Sequence, residues 1–314
     1  MAMRSVRLAV AFAVMLGGFG SVVGARPDDR ATPGAKSPVP KHDESKNTHR
    51  TEAAASRAIA EFKPSAHGFK FVNFFRGSPL PDSLKNDDSD LAKSIRGTIE
   101  KNVKLPDSFG LCGGMSAAAA DFFFARREVP DATKPPVDGT PLFRYLQQRQ
   151  GDSLGQYSIM ALKFAEWMKL PDGGEEGTGA KSLNEVPKIL EALKSGRLVA
   201  LGLVFTRVGE GTLWENHQVL VYGVTDSGEG DKRVVDFKTY DPNYPLDDGL
   251  VIRVRGFGEA SKEKPGKTEA AGGESNHAPN LVTISRLPSK HKPASVRGFF
   301  VMPYSARTPP EDLK

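Results

Sequence analysis

Residues 198–240 read LVALGLVFTRVGEGTLWENHQVLVYGVTDSGEGDKRVVDFKTY. Leu198–Phe205 is a short continuous apolar run, suited to a strand covered on both faces. His217–Val224 (HQVLVYGV) and Arg233–Tyr240 (RVVDFKTY) follow it, rich in branched and aromatic residues. Between them, Thr225–Lys232 holds the Gly and Asp residues of an antiparallel return. If the two strands pair as neighbours, His217 and Asp241 stand at the same end of the sheet. Leu250–Val254, Leu281–Ile284 and Gly298–Met302 extend the strand signal, and the Gly/Lys/Glu-rich Gly256–Asn280 reads as a mobile loop between two of them.

Upstream, the pattern turns helical. Cys112–Gly114 opens a helix that runs through SAAAADFFFARR until Pro130 stops it. Tyr157, Met160, Phe164 and Met168 recur at spacings of three and four, which makes one apolar stripe. A third helix follows Asn184 as N-cap, tolerates Pro187 in its first turn and ends at Gly196. Helices first and a meandering sheet afterwards predict an α+β fold rather than alternating α/β.

The whole chain has 314 residues, 39% apolar and 26% charged, which excludes collagen-like, coiled-coil and wholly disordered classes. Its ends differ from its middle. Arg4 and Arg7 precede an apolar stretch from Leu8 to Val23 and the small residues Gly24-Ala25, so residues 1–25 read as a secretory signal peptide. Residues 26–55 and 305–314 carry Pro, Lys, Ser, Asp and Thr with few large apolar side chains, and read as a disordered linker and a disordered tail. One domain is left, over 56–304. No second apolar stretch is long enough to span a bilayer, so no stable membrane insertion is expected after cleavage, and the expected location is secreted or periplasmic. The net charge is +5, but the basic residues are scattered without interleaved aromatics, so a nucleic-acid partner is not expected.

Exported proteins often pair their cysteines, yet Cys112 stands alone in this chain. It is either a small buried residue or a thiol kept for reactivity. Gly174–Ser182 (GEEGTGAKS) superficially matches a phosphate-binding loop, but Ala180 separates Gly179 from Lys181, and the order fails. The acidic clusters at 86–90 and 241–248 lack the spacing of a calcium loop and read as turns. The six histidines are isolated, so neither a metal nor a cofactor is expected.

What remains is Phe109-Gly-Leu-Cys112-Gly-Gly-Met115 opening a helix. A thiol there lies near free backbone N–H groups and the positive end of the helix dipole, which favours a nucleophilic thiolate. A nucleophile needs a base, and the base needs an orienting group. His217 and Asp241 supply those types in that order, each at the end of an element.

Cysteine heading a helix, histidine beginning a strand and aspartate ending the next resembles the papain-like cysteine peptidases, most of all the bacterial exported or peptide-processing type. The histidine segment there resembles NH-x-V-x-x-x-G, matched here by Asn216-His217-Gln-Val219-Leu-Val-Tyr-Gly223, and the third residue lies in an aspartate–proline pair, here Asp241-Pro242. The resemblance covers roughly residues 67–304. It implies a thiol hydrolase that cleaves peptide or amide bonds, with Cys112 as nucleophile, His217 as base, Asp241 as orienting group, and a peptide or protein as substrate. Papain-like enzymes also place a glutamine before the cysteine to help build the oxyanion hole. No glutamine precedes Cys112 here, and Asn73, in Phe69-Lys-Phe-Val-Asn73-Phe-Phe, is the substitute candidate ahead of Asn102 and Ser108. Papain's C-G-[SA]-C-[WY] is replaced by Gly110-Leu-Cys112-Gly-Gly. The histidine follows the cysteine by roughly 105 residues, against roughly 130–150 in papain and cathepsins. Two alternatives stand beside this reading: a catalytically inactive binding module on the same fold, and a transglutaminase-like acyltransferase, whose histidine normally follows its cysteine much sooner.

Overall fold

A computed structural model describes residues 61–77, 88–90, 93–94, 97, 108–155, 159–257 and 282–313. The expected signal peptide and linker, Asn102, Tyr157 and most of the Gly256–Asn280 loop lie outside these residues. The fold is α+β: helices over 112–194 precede a curled seven-stranded antiparallel sheet. Numbered along the chain, the helices are α1 (Pro64–His67), α2 (Cys112–Phe124), α3 (Pro141–Ser153), α4 (Ile159–Trp167), α5 (Thr178–Leu183) and α6 (Val186–Lys194). The sheet comprises β3 (Val199–Val204), β4 (His217–Ser227), β5 (Val234–Tyr240), β6 (Val251–Arg255), β7 (Thr283–Leu287), β8 (Ala294–Val296) and β9 (Gly298–Val301), in the order β8-β7-β6-β5-β4-β3-β9. A separate ribbon pairs β1 (Phe75–Arg76) with β2 (Ser108–Phe109).

The period-two pattern of the strands divides the sheet between two cores. Val199, Leu201 and Leu203 of β3, with Val219 and Val221 of β4, pack on the side of α6 with its Val186, Ile189 and Leu193. Leu220 and Tyr222 of β4 and Tyr240 of β5 join α2 and α3 in a second cluster, while Ala200 and Val204 meet α4 through Phe164 and Trp167. Each large apolar side chain so buried contributes roughly 1.5–3 kcal/mol relative to exposure. Leu198–Phe205 is therefore covered on both faces, as its unbroken apolar run predicts.

Helix α2 lies at the centre of the second cluster, and its alanines and glycines let neighbours approach closely. A Cβ built on Gly114 would stand 2.1 Å from the Leu146 carbonyl oxygen of α3. On Gly113 it would meet Ser153 Oγ at 2.4 Å and Gln218 Oε1 at 2.5 Å. The paired glycines after Cys112 thus seat the helix start against α3 and β4.

Several elements differ from the sequence expectation. Asn184 does not begin the third helix; it ends α5, and the first turn of α6 is entered from Glu185. Helix α3 was not expected, although Thr140 caps it through the Phe143 N–H and Pro141 occupies its first turn. The Gly174–Ser182 segment forms the entry to α5, where Lys181 pairs with Glu176 and Ser182 Oγ accepts the Phe299 N–H of β9. Its Ser182 hydroxyl thus packs α5 against the sheet edge, and its ammonium is held in a surface pair.

The largest departure is at the C-terminus. Residues 305–313, expected to be a disordered tail, lie against α2 and α3 without regular structure. Arg149 donates to the Ser305 carbonyl at 2.9 Å, Arg127 donates to the carbonyls of Pro309 and Pro310, and Leu313 is buried in the α2 cluster. The fully buried Asp121 collects this region: it pairs with Arg149 Nε at 2.7 Å and accepts from Tyr145 Oη at 2.7 Å, Tyr304 Oη at 3.0 Å and the Arg307 N–H at 2.9 Å. Composition pointed to disorder because few apolar side chains are present; what orders the segment is its backbone, received by arginines and an aspartate distant in sequence.

Candidate functional site

Cys112 is the first residue of α2, and helix geometry leaves its backbone N–H without an intrahelical acceptor. Two residues on, the Gly114 N–H is satisfied by Gln150 Oε1 of α3 at 3.0 Å. The segment before Cys112 is held by Asn73, whose Oδ1 accepts the Leu111 N–H at 2.6 Å. A Cβ on Gly110 would stand 2.6 Å from Asn73 Nδ2, so the glycine makes room for this amide. Asn73 is fixed in turn from the other side of the site. Its backbone N–H donates to the Pro242 carbonyl at 3.0 Å, and its Nδ2 donates to Asn243 Oδ1 at 3.1 Å.

His217 and Asp241 reach the same place from the sheet. The β4–β5 register pairs Leu220 with Tyr240, which sets both residues at one end of that pair. His217 Nε2 lies 2.6 Å from Asp241 Oδ1, with both side chains buried. The Cys112 sulfur faces the same cavity as the imidazole and interacts with it electrostatically. With Nε2 facing the carboxylate, Nδ1 is the ring nitrogen left for sulfur. Burial alone would favour the neutral ring, but the Asp241 carboxylate and then the Cys112 sulfur outweigh it and push the His217 pKa from 6.5 up to about 10. Asp241 shifts the other way. Burial opposes its charge, yet His217, Arg286 and the Asn243 N–H, which donates to Oδ1 at 2.9 Å, hold its pKa below 3.8.

Those opposite shifts predict how stability follows pH. Because the folded His217 pKa is raised, its contribution is fully present below pH 6.5 and is lost as pH rises towards about 10. Because the folded Asp241 pKa is depressed, its contribution is present above pH 3.8 and is lost as pH falls through its folded value. Thermal melts should therefore show a wild-type Tm that declines from near neutrality into the alkaline range, and an Asp241→Asn variant whose decline is distinctly shallower. Parallel wild-type and variant curves would contradict the coupling.

Cys112 and His217 open on a cavity of about 700 Å³, with Asn73, Gln150, Gln218 and Asn243 among its polar walls. Phe74, Phe109, Leu154, Phe164, Leu213 and Trp214 supply apolar ones. Of the expected site residues, Cys112, His217, Asp241 and Asn73 converge in the structure, and Ser108 also lines the cavity.

Sequence reasoning missed the residues that hold this group together. Asn216 ties the loop before His217 to β3: its Oδ1 accepts the Phe205 N–H at 3.0 Å and its Nδ2 donates to the Leu213 carbonyl at 3.2 Å. Its position beside His217 was the available signal. Asn243 links Asn73 to Asp241, and the run Asp241-Pro-Asn243 was likewise in view. Asp247 and Asp248, read as turn residues, accept from Ser289 and Ser65. Among the described residues no group of three or more His, Cys, Asp or Glu is placed to hold a metal ion. Comparisons with family models, curated proteins and solved structures return no match to this chain.

Proposed function

We propose that the chain is an exported papain-like thiol hydrolase that cleaves peptide or amide bonds through Cys112, His217 and Asp241. The observation that carries this reading is a helix-start thiol and an imidazole on one cavity, with the buried Asp241 carboxylate 2.6 Å behind the imidazole. Asp241 fixes the tautomer and orientation of His217 and stabilises its cation. The imidazolium then faces the sulfur of Cys112, which attacks the substrate carbonyl as thiolate. The tetrahedral oxyanion is received by the Cys112 backbone N–H, with Asn73 Nδ2 as the second donor. As the C–N bond breaks, His217 passes its proton to the leaving amine, and a thioester remains on Cys112. The neutral imidazole next takes a proton from water, which attacks the thioester. Collapse of that intermediate releases the acid and restores thiolate and imidazolium.

The apolar walls suit substrates with large apolar side chains, as is usual for concave sites of this size. A peptide library incubated with the protein and read by mass spectrometry should show cleavage, and a peptide bearing an epoxide electrophile should leave one covalent adduct at Cys112. A chain that cleaves no peptide or amide and leaves the electrophile intact is the inactive binding module instead.

A further inference from the structure

We propose that Arg286 is a positioning residue of this site: its guanidinium, bonded to the Asp241 oxygen that His217 leaves free, sets the charge balance of the Cys112–His217–Asp241 group and the pH range over which that group is competent. The inference rests on the thiol-hydrolase reading above. Arg286 comes from β7, two strands beyond β5, and its Nη1 lies 3.2 Å from Asp241 Oδ2. Its side chain is only 12% exposed. The guanidinium carbon sits 5.0 Å from the ring centres of both Phe205 and Tyr244, so the group is gripped on two sides and aimed at the carboxylate.

The grip is built from the segments that also position the site. Phe205 gives its N–H to Asn216, the neighbour of His217, and Tyr244 follows Asn243, whose N–H bonds Asp241. Packing alone does not account for an arginine here. Its buried Nε has no hydrogen-bond partner, a cost that an apolar side chain of similar size would avoid. The charge does have a counterpart, because Asp241 faces two cations, His217 on Oδ1 and Arg286 on Oδ2.

The charged and titratable groups around the carboxylate are Cys112 from α2, His217 from β4, Tyr240 from β5, Arg286 from β7 and Tyr244, against which His291 packs; Glu215 lies further along the cavity wall. With Arg286 in place, thiolate and carboxylate are matched by imidazolium and guanidinium, and the group is neutral. Without it the group carries a net negative charge, and every member holds protons more tightly. Asp241 would then lose its charge at higher pH on the acid side, and His217 would keep its proton to higher pH on the alkaline side. An imidazolium that binds its proton too tightly is a poorer acid for the leaving amine.

The test needs no substrate. Alkylation of Cys112 by iodoacetate, an anion drawn to a thiolate beside an imidazolium, should give a bell-shaped pH profile in the wild type. In Arg286→Gln both limbs should move to higher pH together, by about one unit or more. In Arg286→Lys, which keeps the charge but not the stacking fork, both limbs should stay within about a third of a unit of wild type. A lower rate with unmoved limbs in Arg286→Gln is what a packing role predicts, and it overturns the proposal. If Arg286→Gln does not fold, Arg286→Lys carries the test alone: limbs displaced by about a full unit despite the retained charge would overturn it. A wild-type profile without a bell would remove the thiol-hydrolase reading and this inference with it, whereas a wild-type bell that Arg286→Gln leaves in place removes only the role of Arg286.

Discussion

Cys112→Ala should abolish turnover of a peptide substrate, a loss on the order of 10⁴–10⁶ in kcat as for other nucleophile deletions. The thiol is partly exposed at the first residue of α2, so its removal leaves little cavity, and circular dichroism should show the fold unchanged. His217→Ala should be nearly as damaging, because the sulfur loses both its base and its ion-pair partner. Asp241→Asn should be milder in catalysis, since an amide can still orient the ring. Asn73→Ala should cost about 2.7–4 kcal/mol of transition-state stabilisation if Nδ2 donates to the oxyanion. Each comparison is read in kcat/KM. A fully active Cys112→Ala protein ends the thiol mechanism, while an active enzyme indifferent to Asn73→Ala removes the oxyanion assignment alone and directs attention to Ser108 and to Gln218, which the sequence did not single out.

Arg149→Ala should produce the largest loss of stability. The change leaves Asp121, which is 0% exposed, without the cation it faces at 2.7 Å. Breaking one partner of a buried pair costs about 3–5 kcal/mol. For a domain of this size, that corresponds to a Tm lower by roughly 6–20 °C. The same change removes the donor to Ser305 and one of the two cations paired with Asp152 on α3, so residues 305–313 should become an early target of limited proteolysis. A Tm within about 2 °C of wild type, with the tail still protected, would show that this network does not hold the C-terminus to the helices.

The parts of this protein that the sequence made legible are those whose signal is local. Leu198–Phe205 is apolar at every position because both faces are covered, and β4 and β5 announce themselves by branched residues and a Gly-rich return. The order Cys112, His217, Asp241 could be read because each stands at the end of such an element. Helix α3 was concealed by its polar face, although Thr140-Pro141 is a recognisable helix start and Gln147 and Gln150 line the cavity. Arg286 had no local signal. It lies 45 residues from Asp241, on the second strand beyond β5, and only the sheet order brings them together. The docked tail belongs to the same class, since its contacts reach 156 residues back to Arg149 and up to 186 back to Asp121. Glycines 113 and 114 were visible, but only the neighbouring carbonyl of Leu146 and the side chains of Ser153 and Gln218 explain them as packing positions.

Whether His217 and Asp241 make Cys112 a reactive nucleophile can be read from the rate of its alkylation. Neutral iodoacetamide should modify the folded wild type readily at about pH 6, where an ordinary thiol is almost wholly protonated. His217→Ala should slow this by about tenfold or more at the same pH, and denaturation of the wild type should slow it likewise. Protection of folded wild-type Cys112 from alkylation, with modification only on unfolding, would contradict the account and make Cys112 a structural residue.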